Sequence, residues 1–177
     1  HGDTVTDSHL ALPVIQKGLA QLEQLELVPF RRAIEKGIPA ITIAHILFPS
    51  LETEQVPATM SQKIITGLLR EKLGFQGLII SDCLEMNAIK EIYGIPRGAV
   101  EAVRAGMDLI FISRSHLEVL KTMDALEQAA LSGYIPMERI DDAVGRILAY
   151  KEQYLREIPP LTEDELRDMR TFADRFA

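Results

Sequence analysis

Short, continuous apolar runs alternate along the chain with longer stretches of helical period. Three runs stand out: Ile38 to Ile43, the run through Ile79-Ile80 opened by Gly74-Phe75-Gln76-Gly77, and Asp108 to Ser113. Each is apolar on both faces, which predicts a buried strand of a parallel sheet. Between and after them the spacing predicts helices. Residues 19–36 carry an apolar face, with Pro29 marking a helix start inside the stretch and Gly37 ending it. Residues 61–73 follow Ser61, a favoured N-cap, and place Ile64, Ile65, Leu68 and Leu69 inward. Further helices are expected at 84–92, 97–105, 116–131 and 137–154, with breaks at Tyr93-Gly94-Ile95-Pro96 and Gly133-Tyr134-Ile135-Pro136. Residues 1–13 and 49–59 read as polar loops. After Pro159-Pro160 a charged tail predicts a helix capped by Thr162, with Glu165 closing a capping box.

Strands separated by helices imply right-handed crossovers and a parallel α/β sheet. Three strands are too few for a doubly wound sheet or a barrel, and a whole (β/α)₈ TIM barrel needs eight strands in about 250 residues. No glycine-rich dinucleotide fingerprint follows any strand, which weakens the doubly wound reading. The chain is therefore read as the C-terminal portion of a (β/α)₈ barrel over residues 1–155, with 156–177 as a tail or linker helix. It opens on polar His1-Gly2-Asp3-Thr4 without an initiator Met, as an internal fragment would.

Composition narrows the function classes. The net charge of −7, with no run of Lys or Arg, argues against a nucleic-acid partner. No apolar stretch approaches the length of a membrane span. The single cysteine, Cys83, rules out an internal disulfide and a thiolate metal cluster. It is compatible with a reducing, cytoplasmic setting and reads as packed and inert.

Candidate chemistry gathers where the strands end. In α/β folds the carboxyl ends of parallel strands carry the active site. Strand ends here supply His45, Asp82 and Ser113, and the opening loop adds Asp7 and His9. Asp82 reads equally as an N-cap for the following helix or as a carboxylate nucleophile or base. Asp7 and His9, two apart in an extended loop, would point the same way, and the carboxylate would raise the imidazole pKa as a general acid requires. The plainer use of that spacing is a surface turn with an Asx hydrogen bond. His45 alone suits a satisfied strand-end histidine. Glu85, on the first turn after Asp82, is expected to be structural. Met60, Met86 and Met107 read as core or pocket lining. Nothing in the spacing of Asp7, His9, His45 and Asp82 favours a metal site.

Taken in order, several motifs resemble one known family. They are His1-Gly2-Asp3-Thr4 with Asp7-Ser8-His9 and Leu12-Pro13, then Leu27-Val28-Pro29-Phe30, Ala44-His45 and Pro57-Ala58-Thr59-Met60-Ser61. The series continues with Leu68-Leu69-Arg70-Glu71-Lys72-Leu73-Gly74-Phe75, Ser81-Asp82-Cys83-Leu84-Glu85-Met86 and Ala105-Gly106-Met107-Asp108-Leu109-Ile110. The series resembles family 3 glycoside hydrolases, in their β-N-acetylglucosaminidase branch, over residues 1 to about 154. The resemblance implies a (β/α)₈ barrel and a retaining reaction. It makes Asp82 the nucleophile and His9, assisted by Asp7, the acid/base; His45 and Met86 stand beside them as candidate substrate-binding residues. It implies a carbohydrate substrate with terminal β-linked N-acetylglucosamine and no metal or organic cofactor. The family's Lys-His-Phe-Pro-Gly run, which helps hold the sugar, would precede His1, so the isolated chain is expected to be inactive. Alternatives are a phosphorylase of the same fold, a non-catalytic glycan-binding protein and a metal-dependent hydrolase.

Overall fold

A computed structural model describes residues 2–4, 11–155, 162–164 and 166–167. Three parallel strands, β1 (Ala40–Ile43), β2 (Leu78–Cys83) and β3 (Leu109–Phe111), form one sheet in the order β1-β2-β3. Helices α1 (Leu19–Gln24) and α2 (Leu27–Glu35) precede β1, and a π helix (Lys63–Lys72) links β1 to β2. Then α3 (Asn87–Lys90) and α4 (Ile95–Ala105) link β2 to β3, and α5 (His116–Leu131) and α6 (Met137–Leu155) follow. This is the βαβ alternation of a partial barrel.

The 19–36 stretch is two helices, as Pro29 signals. Pro29 falls in the first turn of α2, where a missing N–H costs no helical bond. That helix ends in a Schellman pattern: Gly37 adopts φ +74°, and the Ile38 amide donates to Ala33 O at 3.0 Å. Ser61 caps as expected, its Oγ accepting the Ile64 amide at 3.2 Å. The helix that follows is wider than expected; its end is closed by the Leu73 amide on Leu68 O, five residues back.

The core lies between the sheet and its helices. Ile41 and Ile79 pack with Ile65 and Leu69 of the π helix, Phe75, and Ala102, Ala105 and Met107 at the end of α4. A second cluster, Met60, Leu84, Ile89, Ile95 and Ala99, sits under the loop that leaves β2.

Several boundaries differ from expectation. β2 does not break at Ser81-Asp82 but runs on to Cys83. The expected helix over 84–92 shrinks to α3, because the Leu84 amide crosses to Phe111 O at 3.0 Å and keeps that residue with the sheet. α4 starts two residues earlier than expected, at Ile95, since Pro96 is tolerated in a first turn. β3 stops at Phe111, because the Ser113 amide goes to the Glu85 carboxylate instead of the ladder. Among the described residues only β2 is flanked by a strand on both sides; at the edge, Phe111 is 51% exposed. In the tail the Leu166 amide donates to Thr162 O at 3.0 Å, while the expected partner Glu165 lies outside the described residues.

Candidate active site

The carboxyl end of β2 carries a bulge, and the bulge falls at Ser81-Asp82. Ile80 pairs with Leu109 and Cys83 with Phe111, so two residues of β2 stand opposite Ile110 alone. Such bulges re-aim side chains and are common beside active sites. Ser81 makes this one sustainable: its buried Oγ accepts the Phe111 amide at 2.9 Å. Asp82 is half-buried, and its Oδ1 accepts the Cys83 amide at 2.7 Å. Its cap reading is corrected by the structure, since the next helix begins at Asn87 with Met86 as N-cap.

His45 follows β1 and is fully buried. Its Nε2 lies 3.1 Å from Cys83 O and its Nδ1 3.0 Å from Thr59 Oγ1. A carbonyl only accepts, so Nε2 carries the proton and Nδ1 accepts from the Thr59 hydroxyl. Burial lowers the His45 pKa, against the raising effects of the Cys83 carbonyl and the Asp82 charge, and keeps the ring neutral. Both ring nitrogens are thus engaged within the protein, and the imidazole ties the β1 exit to the backbone beside Asp82.

Glu85 bridges two loops. Its Oε2 accepts the amides of Ser113 (2.8 Å) and Arg114 (2.7 Å), and its Oε1 that of Ser115 (2.9 Å). Ser113 Oγ (3.3 Å) and Cys83 Sγ (3.6 Å) also approach Oε2. Desolvation alone would raise this carboxyl; the amides of Arg114, Ser113 and Ser115 and the thiol outweigh it and lower the pKa. Cys83 is half-buried and hydrogen-bonded rather than simply packed, with Ser113 Oγ 3.2 Å from its sulfur. Met86 is 7% exposed, directly before α3.

Asp7 and His9 lie outside the described residues. Their flanks are anchored: Lys17 Nζ pairs with Asp3 Oδ2 at 2.9 Å and Glu26 Oε1 at 2.5 Å. On the other side, Leu47 donates to Pro13 O and Ile15 to Leu47 O, at 2.8 and 2.9 Å. Pro13 and Ile15 are so held against Leu47, in the segment that leaves β1 and contains His45. Among the described residues no group of three or more His, Cys, Asp or Glu side chains is placed to hold a metal ion, and no helix is long and apolar enough to cross a membrane.

Sequence reasoning missed Ser81 and Thr59 as parts of this site. The adjacency of Ser81 to Asp82 was the available signal for the first. Thr59 reaches His45 from fourteen residues away, a contact no local pattern encodes.

Residues 1–150 match the model of the glycosyl hydrolase family 3 N terminal domain. The chain is 32% identical over 172 residues to beta-hexosaminidase A of Pseudoalteromonas piscicida, covering 85% of this chain and 28% of that protein. It is 35% identical over 112 residues to a beta-hexosaminidase of Methylobacillus flagellatus, covering 63% and 32% respectively. Among solved structures, a glycoside hydrolase family 3 beta-N-acetylglucosaminidase from Paenibacillus sp. str. FPU-7 superposes with a TM-score of 0.87 at 48% identity, over 92% of this chain and 32% of that one. The chain thus spans about a third of the length of the relatives it matches.

Proposed function

The chain belongs to the N-terminal domain family of the family 3 glycosyl hydrolases, and from that premise we propose that the whole protein is a retaining β-N-acetylhexosaminidase. Residues 1–155 are then the C-terminal part of its barrel domain. Its substrate is a glycan ending in β-linked N-acetylglucosamine, of the cell-wall or chitin type. The relatives named beta-hexosaminidase and the beta-N-acetylglucosaminidase structure support this substrate class.

The observation that carries the reading is Asp82, a half-buried carboxylate on a bulge at the carboxyl end of the central strand, with one oxygen held by the Cys83 amide. In the proposed mechanism the other oxygen attacks the anomeric carbon. The glycosidic C–O bond breaks as His9, charged with the help of Asp7, protonates the departing oxygen. His9 then takes a proton from water, whose oxygen attacks the anomeric carbon and frees the Asp82 carboxylate. An imidazole acid in place of a second carboxylate puts less negative charge beside the anionic nucleophile. The expected direct sugar contact of His45 is corrected by its geometry, since both ring nitrogens are bonded to Thr59 and Cys83; buried His45 and Met86 shape the wall beside Asp82 instead. No cofactor is required by this chemistry.

The test uses the full-length protein and a slow fluorinated N-acetylglucosaminyl donor. A glycosyl adduct on the peptide containing Asp82 is the expected result. Loss of the adduct in Asp82→Asn supports the assignment, and turnover that survives the substitution overturns it. Turnover that depends on phosphate and releases a sugar 1-phosphate would redirect the reading to a phosphorylase.

A further inference from the structure

We propose that Glu85 is a positioning residue for the nucleophile, locking the turn that follows Asp82 to the loop that follows β3. This rests on the glycosidase reading above and adds to it a residue that touches no substrate.

The geometry is unusual for a half-buried carboxylate on a loop. Three consecutive amides, those of Ser113, Arg114 and Ser115, converge on its two oxygens at 2.7 to 2.9 Å. These amides lead into α5, whose N-cap is Ser115 and whose first-turn donors lack helical partners. Ser115 Oγ takes one of them, Glu118 N, at 3.2 Å. The amides of Ser113, Arg114 and Ser115, on the approach to the helix, are taken by Glu85, from 28 to 30 residues away. A carboxylate at a helix N-terminus also gains from the helix dipole.

The same carboxylate reaches the nucleophile's neighbour. Cys83 Sγ lies 3.6 Å from Glu85 Oε2, and the Cys83 amide is the donor that holds Asp82 Oδ1. Cys83 O is fixed from the other side by His45 Nε2. Cys83 is therefore a node: its amide orients Asp82, its carbonyl is pinned to the β1 exit, and its thiol is pinned to the loop after β3, through Glu85 and directly at Ser113 Oγ. At a bulge, where the ladder bonds that would hold Asp82 are interrupted, such external pins set where the carboxylate points. Attack on an anomeric carbon tolerates little misplacement; a shift of about 1 Å can cost a hundredfold in rate.

Glutamate is required for this, not bulk. Glu85→Gln keeps the shape but offers one carbonyl to the three amides and turns an N–H₂ group toward the others, so the bracket opens. Cys83→Val removes the thiol link and leaves the amide bracket, whereas Cys83→Ser retains a donor toward Glu85.

The experiment is pre-steady-state labelling of the full-length protein by the slow fluorinated donor, followed by intact mass at a series of donor concentrations. In Glu85→Gln the maximal labelling rate is expected to fall on the order of tenfold or more. The half-saturating donor concentration should stay within about twofold, since the sugar-holding groups are untouched. Cys83→Val should slow labelling in the same way and Cys83→Ser should restore it, which keeps the test decisive if Glu85→Gln does not fold. Wild-type labelling rates in Glu85→Gln and Cys83→Val overturn the inference while leaving the glycosidase reading intact. A rise in half-saturation with an unchanged maximal rate overturns it too. A wild-type protein that takes no label on Asp82 overturns the reading on which the inference stands.

Discussion

Two buried polar side chains determine how Asp82 is presented, and each makes a testable claim at the scale of a residue. Ser81→Ala would leave the Phe111 amide at the bulge without a partner. That is expected to cost about 1–3 kcal/mol, read as a lower denaturation midpoint of the full-length protein. His45 makes its claim through pH. Burial lowers its pKa from the ordinary 6.5, outweighing the Cys83 carbonyl and the Asp82 charge. Below that pH the unfolded chain takes up a proton that the folded chain refuses. The stability due to neutral His45 is therefore whole above 6.5 and is lost as the pH falls below it. The melting temperature is expected to drop from about pH 7.5 to about pH 5.5, with a shallower slope in His45→Gln. An unchanged slope would show that this imidazole is not the group responsible. In the sequence His45 was legible as a strand-end histidine and Asp82 as a strand-end carboxylate. Their coupling through Cys83 was not, because it joins residues 38 apart.

At the scale of elements, the opposite ends of the strands are held by charge. Asp108, with its side chain fully buried just before β3, bonds Arg70 of the π helix and accepts the Ile79 amide of β2 at 3.0 Å. It also accepts Arg139 at 2.8 Å and Arg146 at 3.2 Å, both from α6. One carboxylate thus ties two strands to two helices. Asp108→Asn leaves three largely buried guanidinium groups short of a counter-charge, and a loss of about 3–5 kcal/mol is expected in chemical denaturation. Steric closeness matters at the start of β2. A Cβ at Gly77 would lie 2.4 Å from Pro39 O and 2.7 Å from Phe75 Cζ, so Gly77→Ala should cost about 1–3 kcal/mol. The helices and strands themselves were readable from period and punctuation: Pro29, Gly37 and Ser61 each act where they stand. The boundaries that moved, at Cys83, Asn87 and Phe111, moved because long-range bonds from Leu84 and Glu85 outbid the local pattern.

The whole molecule is a segment of a barrel wall. Among the described residues β1 and β3 each have one unpaired edge, and Phe111 stands exposed on β3. Open parallel edges template association. Produced alone, the 177-residue chain is expected to self-associate in size-exclusion chromatography with light scattering and to lack glycosidase activity; a stable, active monomer would contradict both points. The sequence by itself determined the class of fold and the family, because apolar runs, glycine stops and an ordered series of motifs are local in the chain. It also marked Asp7, His9 and Asp82 as the residues to ask about. Only the tertiary structure decided that Asp82 stands on a bulge, that His45 is neutral with both nitrogens bonded, and that Glu85 binds the start of α5. Those facts are hydrogen bonds between side chains and distant backbone, and a bond of that kind has no period to read.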